Sequence, residues 1–112
     1  MPTPNYWPKG EYDFEILDAW EKKSAGGKEM IELKVQVSDG DGETRTLRDF
    51  LLSKRAEKLR HCAAVCGLID KYVTGLLSND DFVGKRGRLK LGVEKDKSGK
   101  YPAKNVVVDY LI

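Results

Sequence analysis

The sequence is poor in the residues that catalysis most often uses, with one histidine and two cysteines in 112 residues. His61 lies beside Arg60 in the middle of a helical stretch, and no nucleophile and orienting group stand at a spacing that would build a relay with it. A structural zinc needs four ligands, and no second Cys/His pair accompanies Cys62, Cys66 and His61. The two cysteines are four residues apart on one helix face, where a disulfide between successive turns would constrain nothing. They read as small, reduced core residues. Gly26-Gly27-Lys28 lacks the spacing and the Lys-Ser/Thr ending of a phosphate-binding loop. Asp80-Asp81 reads as first-turn helix charge and not as a metal site. Long apolar runs are absent too: none approaches the roughly 18 residues that cross a bilayer. The opening Met1-Pro2-Thr3-Pro4-Asn5-Tyr6-Trp7-Pro8 lacks the basic and then apolar regions of a signal peptide. These absences lead to the expectation of a cytoplasmic protein that is not an enzyme and carries no metal or cofactor.

Net charge is also small, at +2, but its distribution is uneven. Residues 1–40 hold five lysines and no arginine against eight acids. Residues 84–104 hold eight basic side chains against two acids, Glu94 and Asp96. Such segregation creates a local positive field on a nearly neutral chain.

The length suits one domain with one core, read as an extended arm over residues 1–9 and a single unit over 10–112. Tyr12, Phe14 and Ile16 alternate with Asp13 and Glu15, which predicts a half-buried strand from Glu11 to Trp20. Residues 21–28 follow as a loop turning at Gly26-Gly27. A second strand runs from Met30 to Val37, with Ile31, Leu33, Val35 and Val37 on one face. Asp39-Gly40-Asp41-Gly42 is a hairpin turn. The third strand spans Thr44 to Leu52, with Leu47 and Leu51 inward and Thr46, Arg48 and Phe50 outward. Asp49 falls on the inward parity, so the register requires a bulge or a buried partner there.

Ser53 then suits a helix N-cap, Lys54 to Cys66 a helix, and Gly67 its terminator. Residues 68–77 fit either a short helix or an irregular turn. One helical turn near Ser78–Lys85 leads into a fourth strand, Gly87 to Val93. A lysine-rich loop over 94–103 precedes the last strand, Lys104 to Ile112. Three strands, a helix and two strands match an all-β domain with one helix: the five-stranded Greek-key barrel called the OB-fold, its helix between strands three and four. An open sheet with a helix on one face uses the same order, but it leaves long edges that closure removes.

OB barrels bind oligonucleotides across strands two and three, between the first hairpin loop and the loop joining strands four and five. On this chain the first loop carries Lys22, Lys23 and Lys28. The second carries Lys95, Lys97, Lys100, Tyr101 and Lys104. Lys34, Arg48 and Phe50 lie on the face between. Cations for phosphates together with rings for bases are what sequence-tolerant single-strand binding requires. Trp20 shares parity with Tyr12, Phe14 and Ile16, which favours the core over stacking. Phe50 is open between the two. Trp7 either folds back over the barrel or is free to meet a partner.

Several segments resemble a known family. They are Gly10-x-Tyr12-x-Phe14-x-Ile16, the Lys-Ser-Ala-Gly-Gly loop at 23–27 before Met30-Ile31-x-Leu33-x-Val35-x-Val37, and Asp49-Phe50-Leu51. Asp81-Phe82-Val83-Gly84-Lys85-Arg86-Gly87 and Asn105-x-Val107-x-x-Tyr110 complete the set. In order and spacing the chain is similar to small phage and prophage proteins encoded near replication and recombination genes, some of them OB-fold single-stranded-DNA-binding proteins. The resemblance implies an OB barrel that binds single-stranded DNA largely without sequence specificity, in the cytoplasm of a bacterial host. Replication or recombination proteins are the implied further partners. One departure is that the chain ends at Val108-Asp109-Tyr110-Leu111-Ile112, within a strand, where many such proteins carry an acidic tail that recruits partners. The alternative reading is a protein-interaction module whose basic loops dock an acidic partner. The Val106-Val107-Val108 run offers an edge through which two copies could pair as a homodimer.

Overall fold

A computed structural model describes residues 6–23, 26–27, 29–52 and 56–111. Five strands form one antiparallel sheet: β1 (Gly10–Lys23), β2 (Glu29–Ser38), β3 (Thr44–Leu52), β4 (Arg86–Glu94) and β5 (Lys104–Leu111). Their order across the sheet is β3-β2-β1-β4-β5. Between β3 and β4 lie helix α1 (Ala56–Val65), the short helix α2 (Ile69–Thr74) and a 3₁₀ turn (Asn79–Phe82). The expected order of elements is therefore present, and the ambiguous stretch after Gly67 resolves into α2. Ser53 and Lys54, expected to open the first helix, lie outside the described residues.

The strand patterns translate directly into burial. Leu33, Val35 and Val37 of β2 and Leu89 and Leu91 of β4 are sealed inside, as period-two alternation requires. Cys62 and Ala63 of helix α1, and Cys66 just past its end, join the same buried cluster, with both cysteines free. Ala56 is exposed, and Leu59 only half-buried. The helix stops as its glycine predicts. Gly67 takes φ 74°, Leu68 N–H donates to the Ala63 carbonyl at 2.7 Å, and Gly67 N–H donates to that of Ala64 at 3.1 Å. Those two bonds satisfy carbonyls the helix end would otherwise leave open.

A close approach at Gly87 fixes where α1 sits. A β-carbon built there would stand 2.6 Å from Val65 Cγ2 and 3.1 Å from Phe14 Cε1. No larger residue fits without displacing the helix or the Phe14 ring that faces it across the ladder.

β1 departs from the simple alternation. Its pairing with β2 shifts between Ile16 and Asp18, so one extra residue, Leu17, is carried as a bulge. A bulge bends the strand and reverses which side chains face inward beyond it. Beyond the shift Ala19 is buried, and Trp20, expected inward by parity, stands opposite Glu32 on the outer face. The strand also runs to Lys23, three residues further than expected, so the first hairpin loop is short. The edge of β1 past the bulge is covered by the 3₁₀ turn, where Asn79 Nδ2 donates to the Ala19 carbonyl at 3.0 Å.

The two edge strands come together through side chains. The Tyr110 hydroxyl of β5 donates to Asp49 Oδ2 of β3 at 2.7 Å. Lys58 of α1 donates to Asp49 Oδ1 and to the Val107 carbonyl, both at 2.8 Å. The buried partner required by inward-facing Asp49 is thus doubly supplied, and the third strand keeps a regular register with β2. Among the described residues no backbone ladder joins β3 to β5. The sheet is therefore not closed into a barrel by backbone hydrogen bonds, and its two edges are linked through side chains alone.

Candidate nucleic-acid interface

The seam opens outward into a groove of about 800 Å³ between β3 and the loop joining β4 to β5. Arg45, Arg48 and Phe50 line one wall, and Tyr101, Lys104 and Asn105 the other. Of the expected site residues, the groove gathers Arg48, Phe50, Tyr101 and Lys104. The rings are available: Phe50 is 42% and Tyr101 72% exposed. Lys95, Lys97 and Lys100 are exposed on the loop above it and do not line it.

The loop is ordered by one carboxylate. Asp96 accepts from Ser98 Oγ at 2.5 Å, Lys100 N–H at 2.9 Å and Tyr101 N–H at 3.1 Å. The hydrogen bonds from Ser98 and the Tyr101 backbone hold its carboxyl below the ordinary value. Tyr101 is therefore presented from a braced turn, a geometry that lowers the ordering cost when a ligand stacks on it.

Beside the groove, β1, β2 and β3 present an outer face. Trp20, Glu32 and Phe50 are in register across the three strands, and Lys34 pairs directly with Arg48 in the next row. Glu32, which alternation places in solvent, is only 4% exposed. Lys22 Nζ reaches one of its oxygens at 3.1 Å and Arg48 Nη1 the other at 2.5 Å. Burial works against the Glu32 charge, but hydrogen bonds and fields from Lys22 and Arg48 outweigh it and hold the carboxyl below its ordinary value. The Arg48 guanidinium also lies over the Trp20 ring, 5.3 Å from its centroid, a favourable cation–π placement.

Lys22 and Lys23 thus sit at the end of β1 and not in a loop, with Lys22 committed to Glu32. Lys28 lies outside the described residues. Lys34 is exposed on β2.

A second aromatic cluster borders the same groove, against Arg45 and Asn105. Trp7 folds back and stacks on Tyr12 at 5.4 Å. The Asn105 side chain clamps it by accepting from Trp7 N–H at 2.7 Å and donating to the Trp7 carbonyl at 2.9 Å. Arg45 lies over the Trp7 ring and reaches the same Asn105 oxygen at 3.4 Å.

Sequence reasoning turned Trp20 toward the core and passed over Arg45, Glu32 and Asp96. Trp20 was hidden by the bulge, and Arg45 by an inward parity that ceases to bury a side chain at a strand's first turn. An acid at a solvent-facing strand position carries no mark that its neighbours will cover it. The Asp-x-Ser-Gly spacing at 96–99 was the available sign of a side-chain-braced turn.

Among the described residues no cluster of three or more histidine, cysteine or acidic side chains could hold a metal ion, and no helix is long and apolar enough to cross a membrane. No protein-family model matches the sequence, and no curated protein matches it.

Proposed function

We propose that this chain is an OB-type barrel that binds single-stranded DNA, largely without sequence specificity and without catalysing a reaction. The observation that carries this reading is the groove itself. It combines exposed rings, Phe50 and Tyr101, and the guanidinium plane of Arg48 with cationic Lys104, beneath a loop bearing Lys95, Lys97 and Lys100. Phosphates are drawn by the cations and unpaired bases stack on the rings, and neither interaction depends on base identity. Trp20 and Phe50 extend the stacking surface along the outer face. The segments that resemble phage single-strand-binding proteins add the setting: protection or organisation of single strands during phage replication or recombination, in the host cytoplasm.

The rival is a protein-interaction module that docks an acidic partner on the same loops. Such a module also has use for exposed rings, which protein interfaces favour, so direct binding to nucleic acid is what separates the two readings.

Fluorescence anisotropy with labelled oligo-dT across a salt series tests the reading. Binding that weakens steeply with salt and persists when the base sequence is scrambled is the expected result. No binding at low salt overturns it.

A further inference from the structure

Glu32 is oddly placed for a surface that meets a polyanion. It stands between Trp20 and Phe50 in the same cross-strand row. It is nearly buried there, and both of its oxygens are taken by cations from the flanking strands. The position a phosphate would occupy between Lys22 and Arg48 is therefore filled by the protein's own carboxylate. A phosphate that captured Arg48 would take one of the two cations on Glu32 and set a second anion beside its carboxylate, which is an unfavourable exchange. A base meets no such obstacle. Rings flank the carboxylate on both sides, and the Arg48 guanidinium, already lying over Trp20, is a plane on which a base can stack.

We propose that Glu32 is a specificity-determining residue of this face, which it makes a seat for bases and closes to phosphates. The inference rests on the nucleic-acid reading above. Backbone phosphates are thereby directed to the groove and its lysine loop. Of the two acids that line the groove, Asp96 is consumed by its own turn and Glu94 stands opposite Lys104 in the ladder. Discrimination between single and double strands follows, because a duplex offers this face phosphates and hides its bases.

The test is Glu32→Gln, which keeps the shape and an acceptor oxygen while removing the charge. Lys22 and Arg48 then become free for phosphates. Elution from heparin should move to higher salt, and duplex affinity should rise more than oligo-dT affinity. Each newly recruited cation steepens the salt dependence for single strands by about 0.7 in log–log slope, so two give on the order of sevenfold extra gain between 200 and 50 mM salt. Unchanged or weaker heparin retention, or an unchanged single-to-duplex ratio, overturns the proposal. Glu32→Met, of similar volume, repeats the test without a hydrogen-bonding group. Loss of the fold in both variants, seen by circular dichroism, also overturns it, by making Glu32 a folding residue. Because heparin contains no bases, its retention reads the Glu32 effect even where oligo-dT does not bind. Failure of the proposed function therefore stays distinct from failure of this inference.

Discussion

The Tyr110 hydroxyl meets Asp49 Oδ2 at 2.7 Å in the buried seam between β5 and β3. These residues are 61 positions apart in sequence, and their bond holds together edges that no backbone ladder joins. Burial and the neighbouring Asp49 charge push the Tyr110 hydroxyl well above its ordinary pKa, so it remains a donor across the accessible pH range.

Tyr110→Phe removes that donor and leaves Asp49 with Lys58 alone. The urea midpoint should fall by the equivalent of about 1–2 kcal/mol with little change in slope. Asp49→Ala should cost more, about 3 kcal/mol, because it strands the Lys58 ammonium as well as the hydroxyl. Equal effects of the two variants would show that Lys58 contributes nothing to the seam.

Gly87→Ala places a methyl 2.6 Å from Val65 Cγ2. The helix must shift or the valine must leave its rotamer, at a cost of about 1–3 kcal/mol. Val65→Ala in the same chain should recover part of that loss, a compensation that denaturation of the double variant measures directly.

Acid should destabilise the fold in a defined window. The Glu32, Asp81 and Asp96 carboxyls are held below their ordinary values of 4.5, 3.8 and 3.8. A carboxyl with a lower pKa when folded gives stability that is complete above its unfolded pKa and is lost as pH falls through the folded one. Urea midpoints should not change through these groups between pH 7 and pH 5, and should decline below about 4.5. In Glu32→Gln the decline should be shallower.

Tyr101→Ala should weaken binding to oligo-dT by about 1–3 kcal/mol and leave duplex binding nearly unchanged. Asp96→Ala, which frees the turn while keeping the ring, should give a smaller loss of the same kind. Equal losses on single and double strands would show that the ring does not stack.

Most of the fold was legible because it follows from local alternation. β2, β3 and β4 read within a residue of their true ends, since each buries one face and exposes the other. The bulge at Leu17 was not legible. Alternation continues to look regular through Ile16, and nothing local announces an extra residue, so Trp20 was assigned to the wrong face. Asp49 shows both sides of the limit. Its parity required a buried partner, but the partners arrive from α1 and β5 through the tertiary fold, and no local pattern names them. The site was half legible for the same reason. Phe50 and Tyr101 sit where an outward strand position and the loop before β5 place them. Arg48, Lys22 and Glu32 form a cluster that exists only once β1, β2 and β3 are in register.

Lys58 spans the seam between the edge strands, with its ammonium on Asp49 and on the Val107 carbonyl. Open sheet edges invite strands of other chains, and a run of valines such as 106–108 is the kind of sequence that recruits them into fibres. A carbonyl already bonded in the middle of that run interrupts the row of acceptors a foreign strand would need. The lysine that steadies the interior of one molecule thus also discourages one sheet from growing into the next.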